Sequence, residues 1–596
     1  MTHLLVIGSP SLDKIYIGGK AHRAMGGAGM YMSMAAKRAG VDVSMFGPKP
    51  DPMPDALKAL DQQLAQWIGP AINPALVPRF EISHNGDIAD YLVANLESEQ
   101  EIDPKKFPQD LSIYDGIHIT AMGDAAVQKM FLDMCLKRGA KFISIGTWRR
   151  NVSEQAEITR FLIRHSQASF MNEEEAITLF GSIDRAKVHA GHTLFITLAD
   201  KGALVIQGEH RNQVAAKAIK VKDPTGAGET FCGSSVANLL LGEHPVKAAM
   251  RAVILAAEKI EGIGPEALLR DAAQPQIPLD ARIALDEKQI EKVAVVVKNL
   301  SDADPFNFVG DYLPPAGHPA ALDFLFAVTF QQFSFWTDQE GKYEAPLIAE
   351  IDGVRRKGSA YMYSAYNRLI DSDPAYFMPE RQAKVTIDEM MRVFRADDGS
   401  DPMPALELHV EMANAYGSDM LALGLTPSTV VKRAMASEKP LKTFVEILDH
   451  VGGYKEDPLR KKSNLLALSV SQRPERFLQF GSDETVAPVV DYHCMRAILR
   501  QGLVNVLDED LKNKLAQRML LNEDEEWAIR FAGYRIQEKV EVLSGKPIGA
   551  VDWFFFNYTR SHCPEMTDPV CAECAVDKVC KKRKEMFQPV LRTTYY

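Results

Sequence analysis

Four of the seven cysteines in this 596-residue chain fall within one short stretch near the C-terminal end. They are Cys563, Cys571, Cys574 and Cys580, with the spacing C-x7-C-x2-C-x5-C. Thiolates bind structural zinc and iron–sulfur clusters, and short spacings let one loop surround one centre. The pattern therefore predicts a metal site. The cysteines alone leave open whether the metal is zinc or iron, and whether it serves only to fix the local fold.

The bulk properties exclude several classes of protein. A content of 46% hydrophobic and 25% charged residues is that of an ordinary globular protein, and the length predicts two or more domains. A net charge of −11 disfavours an extensive nucleic-acid surface, which needs clustered Lys and Arg. No apolar run approaches the roughly 18 residues that cross a bilayer, and no signal-peptide pattern opens the sequence. We expect no membrane partner and a reducing cytoplasmic location.

Strand-like and helical patterns alternate in the first half of the chain. Short buried-strand patterns occupy residues 3–8, 115–120, 141–146 and 193–198, and helical patterns occupy residues 126–137 and 153–164. Alternation of this kind predicts a doubly wound α/β sheet with crossover helices.

The character of the sequence changes after a segment rich in proline and polar residues. We interpret residues 271–282 as a linker between a first domain at 1–270 and a second domain at 283–596. In the second domain, apolar residues recur with helical period, as in Ile283–Asn299, Val385–Phe394 and Leu406–Tyr416. The pattern predicts an all-helical domain.

Four motifs in the first domain occur in the order typical of one kinase family. Gly26–Gly40 and Asp223–Phe231 resemble the two signatures of the PfkB (ribokinase-like) sugar and nucleoside kinases. Asn172–Glu175 is similar to the N-x-x-E motif of that family, and Thr197–Ala203 is similar to its nucleotide-binding turn. The resemblance covers residues 3–270. It implies a ribokinase-like fold, ATP and Mg²⁺ as cofactors, a small lid formed by 14–17 and 91–95, and a homodimer through this domain.

The resemblance also implies roles for individual residues. Glycines permit close backbone approach, and a helix N-terminus offers unpaired N–H groups to phosphate. The residues implied are Asp13, Gly26, Gly27 and Tyr31 for the substrate, Thr197, Gly202, Thr225, Gly226, Ala227 and Gly228 for nucleotide and phosphate, Asn172 and Glu175 for magnesium, and Glu229 as general base. The family has aspartate where this chain has Glu229. The longer side chain moves the carboxylate by about an ångström, so an active kinase and a nucleotide-binding relic both remain open.

A second set of motifs lies near the cysteines. Val490–Arg496 reads V-D-Y-H-C-M-R, and the aromatic helical pattern Val551–His562 leads into Cys563. Together with the cysteine spacing, these residues resemble the helix-hairpin-helix DNA glycosylases of the endonuclease III type over roughly the last 150 residues. The resemblance implies Asp491 as the catalytic carboxylate and a [4Fe–4S] cluster, rather than zinc, at the cysteines.

Two adjacent lysines fit the optional nucleophile of the same family. Lys462, followed by Ser463, fits the K-[ST] position best, and Lys461 fits it second. In the run Arg460-Lys461-Lys462, however, solvent exposure is the expected environment, whereas a lysine nucleophile must be desolvated. Trp336 and Tyr363 are aromatic residues that a base could stack on, or ordinary core residues.

Fusion of the two resemblances predicts nucleoside salvage. The first domain would phosphorylate a nucleoside, and the second would hydrolyse the N-glycosidic bond of the nucleoside 5′-phosphate, near a carboxylate that stabilises positive charge on the sugar. Queuosine-salvage nucleotide glycosylases, which resemble DNA glycosylases, act on such small substrates. The alternatives are a base-excision DNA glycosylase with a degenerate kinase-like regulatory domain, and a nucleotide sensor without turnover.

Overall fold

A computed structural model describes residues 2–85, 88–95, 102–301 and 306–596. The chain divides into two units, Met1–Ile277 and Pro278–Tyr596. Among the described residues, no helix combines the length and apolar character needed to cross a membrane.

The N-terminal unit contains strands and helices in alternation. Its strands are β1 (His3–Ile7), β2 (Ser11–Ile17), β3 (Lys20–Gly26), β4 (Asp42–Phe46), β5 (Lys49–Pro50), β6 (Gln66–Ile68), β7 (Ala71–Ile72), β8 (Arg79–Asn85), β9 (Ile88–Asn95), β10 (Gly116–Ile119), β11 (Ile143–Gly146), β12 (Ala168–Asn172), β13 (Thr193–Thr197), β14 (Ala203–Gln207) and β15 (His210–Val214). Its helices are α1 (Ala28–Arg38), α2 (Lys58–Gln63), α3 (Ala125–Lys137), α4 (Arg149–Glu154), α5 (Ala156–Arg164), α6 (Glu173–Phe180), α7 (Ala227–Leu240) and α8 (Pro245–Ile260).

A nine-stranded sheet organises this unit, in the order β15-β14-β13-β12-β11-β10-β1-β4-β6. Its strands run parallel from β6 to β13, and β14 and β15 complete the far edge in antiparallel pairing. Alternate residues of β1 enter two separate cores: Leu4 and Val6 join one, Leu5 and Ile7 the other. Because both faces are covered, the strands read as continuous apolar runs, and the doubly wound α/β prediction is confirmed.

A second sheet of four strands, in the order β3-β2-β8-β9, contains both segments predicted to form a lid.

One predicted helix is different. Residues 153–164 form the end of α4 and all of α5, with Gln155 between them at φ −131° and ψ 40°. The Gln155 side chain accepts a hydrogen bond from the amide of Ala125 and donates one to Asp124, so it joins this break to the start of α3.

The C-terminal unit is mainly helical. Its helices are α9 (Glu287–Asn299), α10 (Ala321–Thr329), α11 (Ser359–Asn367), α12 (Pro379–Gln382), α13 (Ile387–Val393), α14 (Leu406–Ala422), α15 (Pro427–Met435), α16 (Pro440–Leu448), α17 (Lys461–Gln472), α18 (Tyr492–Gln501), α19 (Glu509–Ala516), α20 (Glu523–Ser544) and α21 (Ile548–His562). Its strands are β16 (Ile283–Leu285), β17 (Trp336–Gln339), β18 (Lys342–Pro346), β19 (Ile348–Ile351), β20 (Val354–Lys357) and β21 (Val504–Val506).

The strands correct the expectation of an all-helical domain. β17 pairs with β18 and β19 with β20 in antiparallel hairpins, and β16 pairs with β21. Both hairpins turn through a residue and a glycine at positive φ, Glu340-Gly341 and Asp352-Gly353. Two-residue turns with positive φ at both positions match the twist of paired strands, and Asp-Gly is a strong sequence signal for them. Helical periodicity in the flanking segments hid that signal.

Candidate functional sites

A cavity of about 290 Å³ in the N-terminal unit collects several residues of the kinase motifs. The predicted residues that line it are Asp13 from β2, Gly27 and Tyr31 at the start of α1, and Thr225, Gly226 and Glu229 at the start of α7. Residues separated by some two hundred positions in sequence thus surround one space. Gly26 lies just behind Asp13, since a Cβ atom at Gly26 would stand 1.8 Å from Oδ2 of Asp13.

The start of α7 combines a glycine turn with a carboxylate. Gly226 caps the helix at φ 74° and ψ 12°, and a Cβ atom there would meet the ring of Tyr31 at 2.4 Å, so only glycine fits. Glu229 lies in the first helical turn. Burial raises the pKa of Glu229 above its usual range, and burial raises the pKa of Asp13 to about 7. Both carboxyls therefore hold protons more tightly than exposed groups do.

The residues predicted to bind magnesium form a helix cap. Oδ1 of Asn172 accepts the amide of Glu175 at 2.8 Å, and Oε2 of Glu175 accepts the amide of Asn172 at 3.0 Å, which closes a capping box at the start of α6. The Thr147 hydroxyl also donates to Oε2 of Glu175. Glu175 is 5% exposed and Asn172 is exposed, and their predicted role toward magnesium and water stays a prediction.

The predicted nucleotide residues occupy neighbouring strand ends. Thr197 ends β13, directly opposite Asn172 at the end of β12. Gly202 follows at φ 95°, where a Cβ atom would lie 1.9 Å from the carbonyl oxygen of Val214. Ala227 and Gly228 are the first two residues of α7. Their roles toward a nucleotide stay a prediction.

In the C-terminal unit, Asp491 caps the helix that follows it. Its backbone is extended, and its Oδ1 accepts the amide of Cys494, three residues on, at 3.0 Å. This contact satisfies one of the unpaired amides at the start of α18. Asp491 is only 9% exposed, and burial raises the pKa of its carboxyl, opposed by the charge of Lys461.

The two candidate lysines are buried, contrary to the expectation of solvent exposure. Lys461 is 5% and Lys462 is 1% exposed. Nζ of Lys462 donates to the carbonyl oxygen of Phe330 at 2.9 Å, and burial lowers the pKa of Lys462 to about 7. Burial lowers the pKa of Lys461. The charge of Asp491 is the next largest influence on that pKa, and it acts in the opposite direction. The charge of Asp491 thus acts on Lys461, and a catalytic role for Lys462 or Lys461 stays a prediction.

The sequence reasoning missed a second carboxylate beside Asp491. The thiol of Cys494 lies 3.6 Å from Oδ1 of Asp552, a residue on α21. Burial and then the charge of Asp491 raise the pKa of Asp552 to about 8. The available signal was a single carboxylate inside the otherwise apolar and aromatic run Ile548–Phe556. Two neighbouring carboxyls with different environments can take different protonation states.

The remaining motif residues connect α18 to the cysteines. The guanidinium of Arg496 donates to Nδ1 of His493 at 2.9 Å, to the carbonyl oxygen of Cys563 at 2.9 Å and to Oε1 of Gln588 at 2.7 Å. It also faces Glu565 at 3.6 Å, with both side chains almost completely buried. One turn later, Arg500 donates to Sγ of Cys563 at 3.2 Å. These residues anchor the loop rather than contact Asp491.

All four clustered cysteines line one small cavity of about 40 Å³. Besides Arg500, the amide of Lys582 donates to Sγ of Cys580 at 3.3 Å, and such N–H donors stabilise thiolates. Among the described residues, no group of three or more His, Cys, Asp and Glu is already arranged to hold a metal ion. The donor set and the shared cavity nevertheless fit the chemistry of a thiolate-bound centre.

The two aromatic candidates belong to the core of the C-terminal unit. Trp336 is 8% exposed and packs under the guanidinium of Arg592 at 4.0 Å from the ring centre. Tyr363 is 7% exposed and its hydroxyl accepts a hydrogen bond from Gln332 at 2.6 Å. Neither ring presents a free face for stacking in this conformation.

Two protein families match the two halves of the chain. Residues 82–271 match the pfkB family of carbohydrate kinases, and residues 313–568 match the queuosine salvage protein family. The chain thus joins a PfkB domain to a queuosine-salvage domain, and the ribokinase-like fold expected for the first half is confirmed. The helix-hairpin-helix assignment of the second half stays a prediction.

One curated relative is the mouse queuosine 5′-phosphate N-glycosylase/hydrolase. It is 21% identical over 332 residues, which are 51% of this chain and 96% of the relative. Among solved structures, a probable sugar kinase from Rhizobium etli is 18% identical, covers 44% of this chain and 95% of its own, and has a TM-score of 0.39. A Burkholderia thailandensis nucleoside kinase in complex with inosine is 19% identical, with coverages of 44% and 93% and a TM-score of 0.37.

Proposed function

We propose that this chain is a bifunctional nucleoside-salvage enzyme. Its N-terminal unit phosphorylates a nucleoside with ATP, and its C-terminal unit hydrolyses the N-glycosidic bond of the resulting 5′-phosphate to a free base and ribose 5-phosphate. Queuosine, or a nucleoside of similar base, is the proposed substrate, by analogy with the mouse relative. The observation that carries the proposal is the buried Asp491, with Asp552 and Lys461 around it, inside the region that matches the salvage family.

The cavity of the N-terminal unit supplies what phosphoryl transfer requires. Asp13 would accept hydrogen bonds from sugar hydroxyls, and Glu229 would take the proton of the attacking hydroxyl. The amides at the start of α7 would receive the charge of the transferring phosphoryl group, whose phosphorus–oxygen bond to ADP breaks as the new bond to the nucleoside oxygen forms. Mg²⁺ would come with ATP, and Asn172 and Glu175, joined in the cap of α6, would organise it together with water.

In the C-terminal unit, the two carboxyls would divide the work. Asp491, with Lys461 opposing its protonation, would be the ionised member that stabilises positive charge on the sugar and accepts a proton from the attacking water. Asp552, with its pKa of about 8, would be protonated at neutral pH and would protonate the departing nitrogen of the base. The C1′–N bond breaks, a C1′–O bond to water forms, and the two protons balance.

The cysteine loop would hold a [4Fe–4S] cluster through Cys563, Cys571, Cys574 and Cys580, with zinc as the lesser candidate. Bound there, the cluster would cross-link the loop and supply no step of the chemistry. Arg496 and Arg500 would transmit that rigidity to α18, whose first residue follows Asp491.

The test is base release measured by mass spectrometry. The full chain, purified anaerobically, would be incubated with queuosine, queuosine 5′-phosphate, other ribonucleosides and lesion-bearing DNA duplexes, each with and without MgATP. Release from the nucleoside only with MgATP, and from the 5′-phosphate without it, would support kinase and glycosylase in series. Release from DNA alone would contradict the proposal and favour the repair alternative.

A further inference from the structure

A lysine that belongs to none of the kinase motifs is completely buried beside loop 223–226, which leads into α7. Lys259 lies near the end of α8, and its side chain is 0% exposed. Its Nζ donates to the carbonyl oxygen of Asp223 at 2.9 Å and to the carbonyl oxygen of Thr225. It also lies 3.5 Å from Oδ2 of Asp223, whose side chain is likewise 0% exposed. The three donors of the ammonium thus meet three oxygen atoms of one loop.

The carboxylate of this pair is fully engaged as well. Oδ1 of Asp223 accepts the amide of Thr225 at 3.0 Å, and Oδ2 accepts the amide of Gly264 at 2.7 Å. Burial opposes ionisation of Asp223, but the ammonium of Lys259 and these amides hold the pKa of its carboxyl below its usual range. Two buried charges are tolerated when their remaining hydrogen bonds are satisfied, and that condition is met here.

The contact with Thr225 fixes the direction of the next amide. A trans peptide points its carbonyl and its following N–H in opposite directions. Because the carbonyl of Thr225 faces Lys259, the N–H of Gly226 points away from the ammonium. Gly226 lines the substrate cavity and caps α7. The charge of Lys259 opposes the rise that burial causes in the pKa of Glu229. Nζ of Lys259 also lies 5.1 Å from the ring centre of Tyr31.

We infer that Lys259 is a positioning residue of the kinase reaction: an internal monovalent cation that orients loop 223–226 for the transferring phosphoryl group. The inference rests on the proposed kinase function. The ammonium would do more than stabilise the fold, because it holds the carbonyl of Thr225 and thereby directs the N–H of Gly226 away from itself. Removal of the side chain would leave a small cage of oxygen atoms able to accept a free monovalent cation.

The experiment compares Lys259→Ala with Lys259→Met in the full-length chain. Nucleoside-dependent formation of ADP would be measured with added ammonium chloride and, as an ionic-strength control, tetramethylammonium chloride, which is too large for the cage. We expect kcat of Lys259→Ala to be about 100-fold lower than that of the unmodified chain, which is the scale of a misplaced catalytic group. Added ammonium should raise kcat of this variant about tenfold. Lys259→Met fills the space without charge and should not be restored. Lys247→Ala, near the start of the same helix and paired with Glu243 at 2.8 Å, should match the unmodified chain.

Restoration of kcat by ammonium separates positioning from mere packing. Unchanged kcat in Lys259→Ala, or equal recovery with tetramethylammonium, would overturn the inference. If neither single variant folds, the double variant Asp223→Asn, Lys259→Met removes both charges but keeps the side-chain volume. It should fold and show the same loss of kcat, and a kcat equal to that of the unmodified chain would equally overturn the inference.

If the unmodified chain forms no ADP with any nucleoside, the kinase function itself fails. Ammonium-dependent ADP binding by Lys259→Ala, measured by calorimetry, then decides whether the cation orders the loop, and absence of that dependence overturns the inference.

Discussion

Asp491 and Asp552 are joined through one residue: the amide of Cys494 donates to Oδ1 of Asp491 at 3.0 Å, and the Cys494 thiol lies 3.6 Å from Oδ1 of Asp552. The first contact is local to the start of α18, and the second reaches α21. Two carboxyls distant in sequence are thereby held within one buried environment, in which ionisation of one disfavours ionisation of the other.

Replacement of Asp491 by asparagine tests the centre of the proposed glycosylase. Asp491→Asn keeps the cap on Cys494 through the amide oxygen but removes the charge that stabilises the sugar cation. We expect base release from the 5′-phosphate to fall by about 10³-fold or more, with little change in melting temperature. ADP formation by the same variant is the internal control. Base release at the rate of the unmodified chain would exclude Asp491 from the chemistry.

The pH dependence of base release reports on Asp552. Because the pKa of Asp552 is raised to about 8, its protonated form predominates at pH 7 and is lost as the pH rises through 8. If Asp552 is the general acid, kcat/KM should fall about tenfold per pH unit above that value. Asp552→Asn should be slower by about 10² to 10⁴-fold and should lose this alkaline limb. A limb that persists unchanged in Asp552→Asn would assign it to another group.

The general base of the kinase can be tested in both directions. Glu229→Gln removes the proton acceptor and should lower nucleoside-dependent ADP formation by about 10² to 10⁴-fold. Glu229→Asp shortens the side chain to the length usual in the PfkB family and should retain measurable activity. Base release from a nucleoside with MgATP should fall in Glu229→Gln, while release from the 5′-phosphate stays unchanged. Equal losses on both substrates would mean that the variant has damaged more than the kinase.

A buried ion pair orders the helix that begins with Lys461. Oδ2 of Asp457 accepts the amide of Lys461 at 2.7 Å and the guanidinium of Arg530 at 2.6 Å, and both charged side chains are 0% exposed. Asp457→Ala removes the closer of two buried carboxylates from Arg530 and leaves it only Glu526, whose Oε1 lies 3.9 Å from Nε, so the variant should cost up to about 3–5 kcal/mol in the free energy of unfolding.

Chemical denaturation of the C-terminal unit, followed by tryptophan fluorescence, measures that loss. Lys512→Ala is the matched control, because Lys512 pairs with Glu509 at 3.1 Å on the exposed surface of the same unit. It should change the free energy of unfolding by less than about 0.5 kcal/mol. Similar values for the two variants would show that the buried pair is not needed for stability.

The cysteine loop can be tested by its metal content. Cys574→Ser removes one of the four thiols and should reduce bound iron, or zinc, and lower the rate of base release, since Arg500 and Arg496 connect the loop to α18. Cys135→Ser, in the N-terminal unit, is the control and should leave the metal content unchanged. Full metal content in Cys574→Ser would contradict the proposed ligand set.

The parts that sequence predicts well are those with strict local patterns. Strands such as β1 and β13 were readable because they are buried on both faces, and the Gly226 turn because its φ of 74° excludes side chains. The two hairpins of the C-terminal unit are not predicted, although Asp352-Gly353 is a typical turn pair, because they are short and lie between segments with helical periodicity.

The site in the C-terminal unit shows why spacing alone is insufficient. The motif points to Asp491 and favours Lys462 over Lys461. Neighbouring residues on a helix face different directions, and the charge of Asp491 acts on Lys461, whereas Nζ of Lys462 donates to the carbonyl oxygen of Phe330. Asp552 belongs to no motif, and its relation to Asp491 depends on the packing of α21 against α18. The burial of both lysines is likewise a result of tertiary packing, because a run of charged residues by itself predicts exposure to solvent.

Arg496 and Arg500 carry a consequence for the ancestry of this architecture. Both guanidiniums are buried, and their partners include the carbonyl oxygen of Cys563 and, for Arg500, those of Pro564 and Met586. A descendant that lost residues 563–588 would deprive both arginines of these acceptors, and of the contacts described above Arg496 would keep only the one with His493. The two arginines and the four cysteines should therefore be inherited together or replaced together, so that their joint occurrence across genomes would mark the proteins that share this loop.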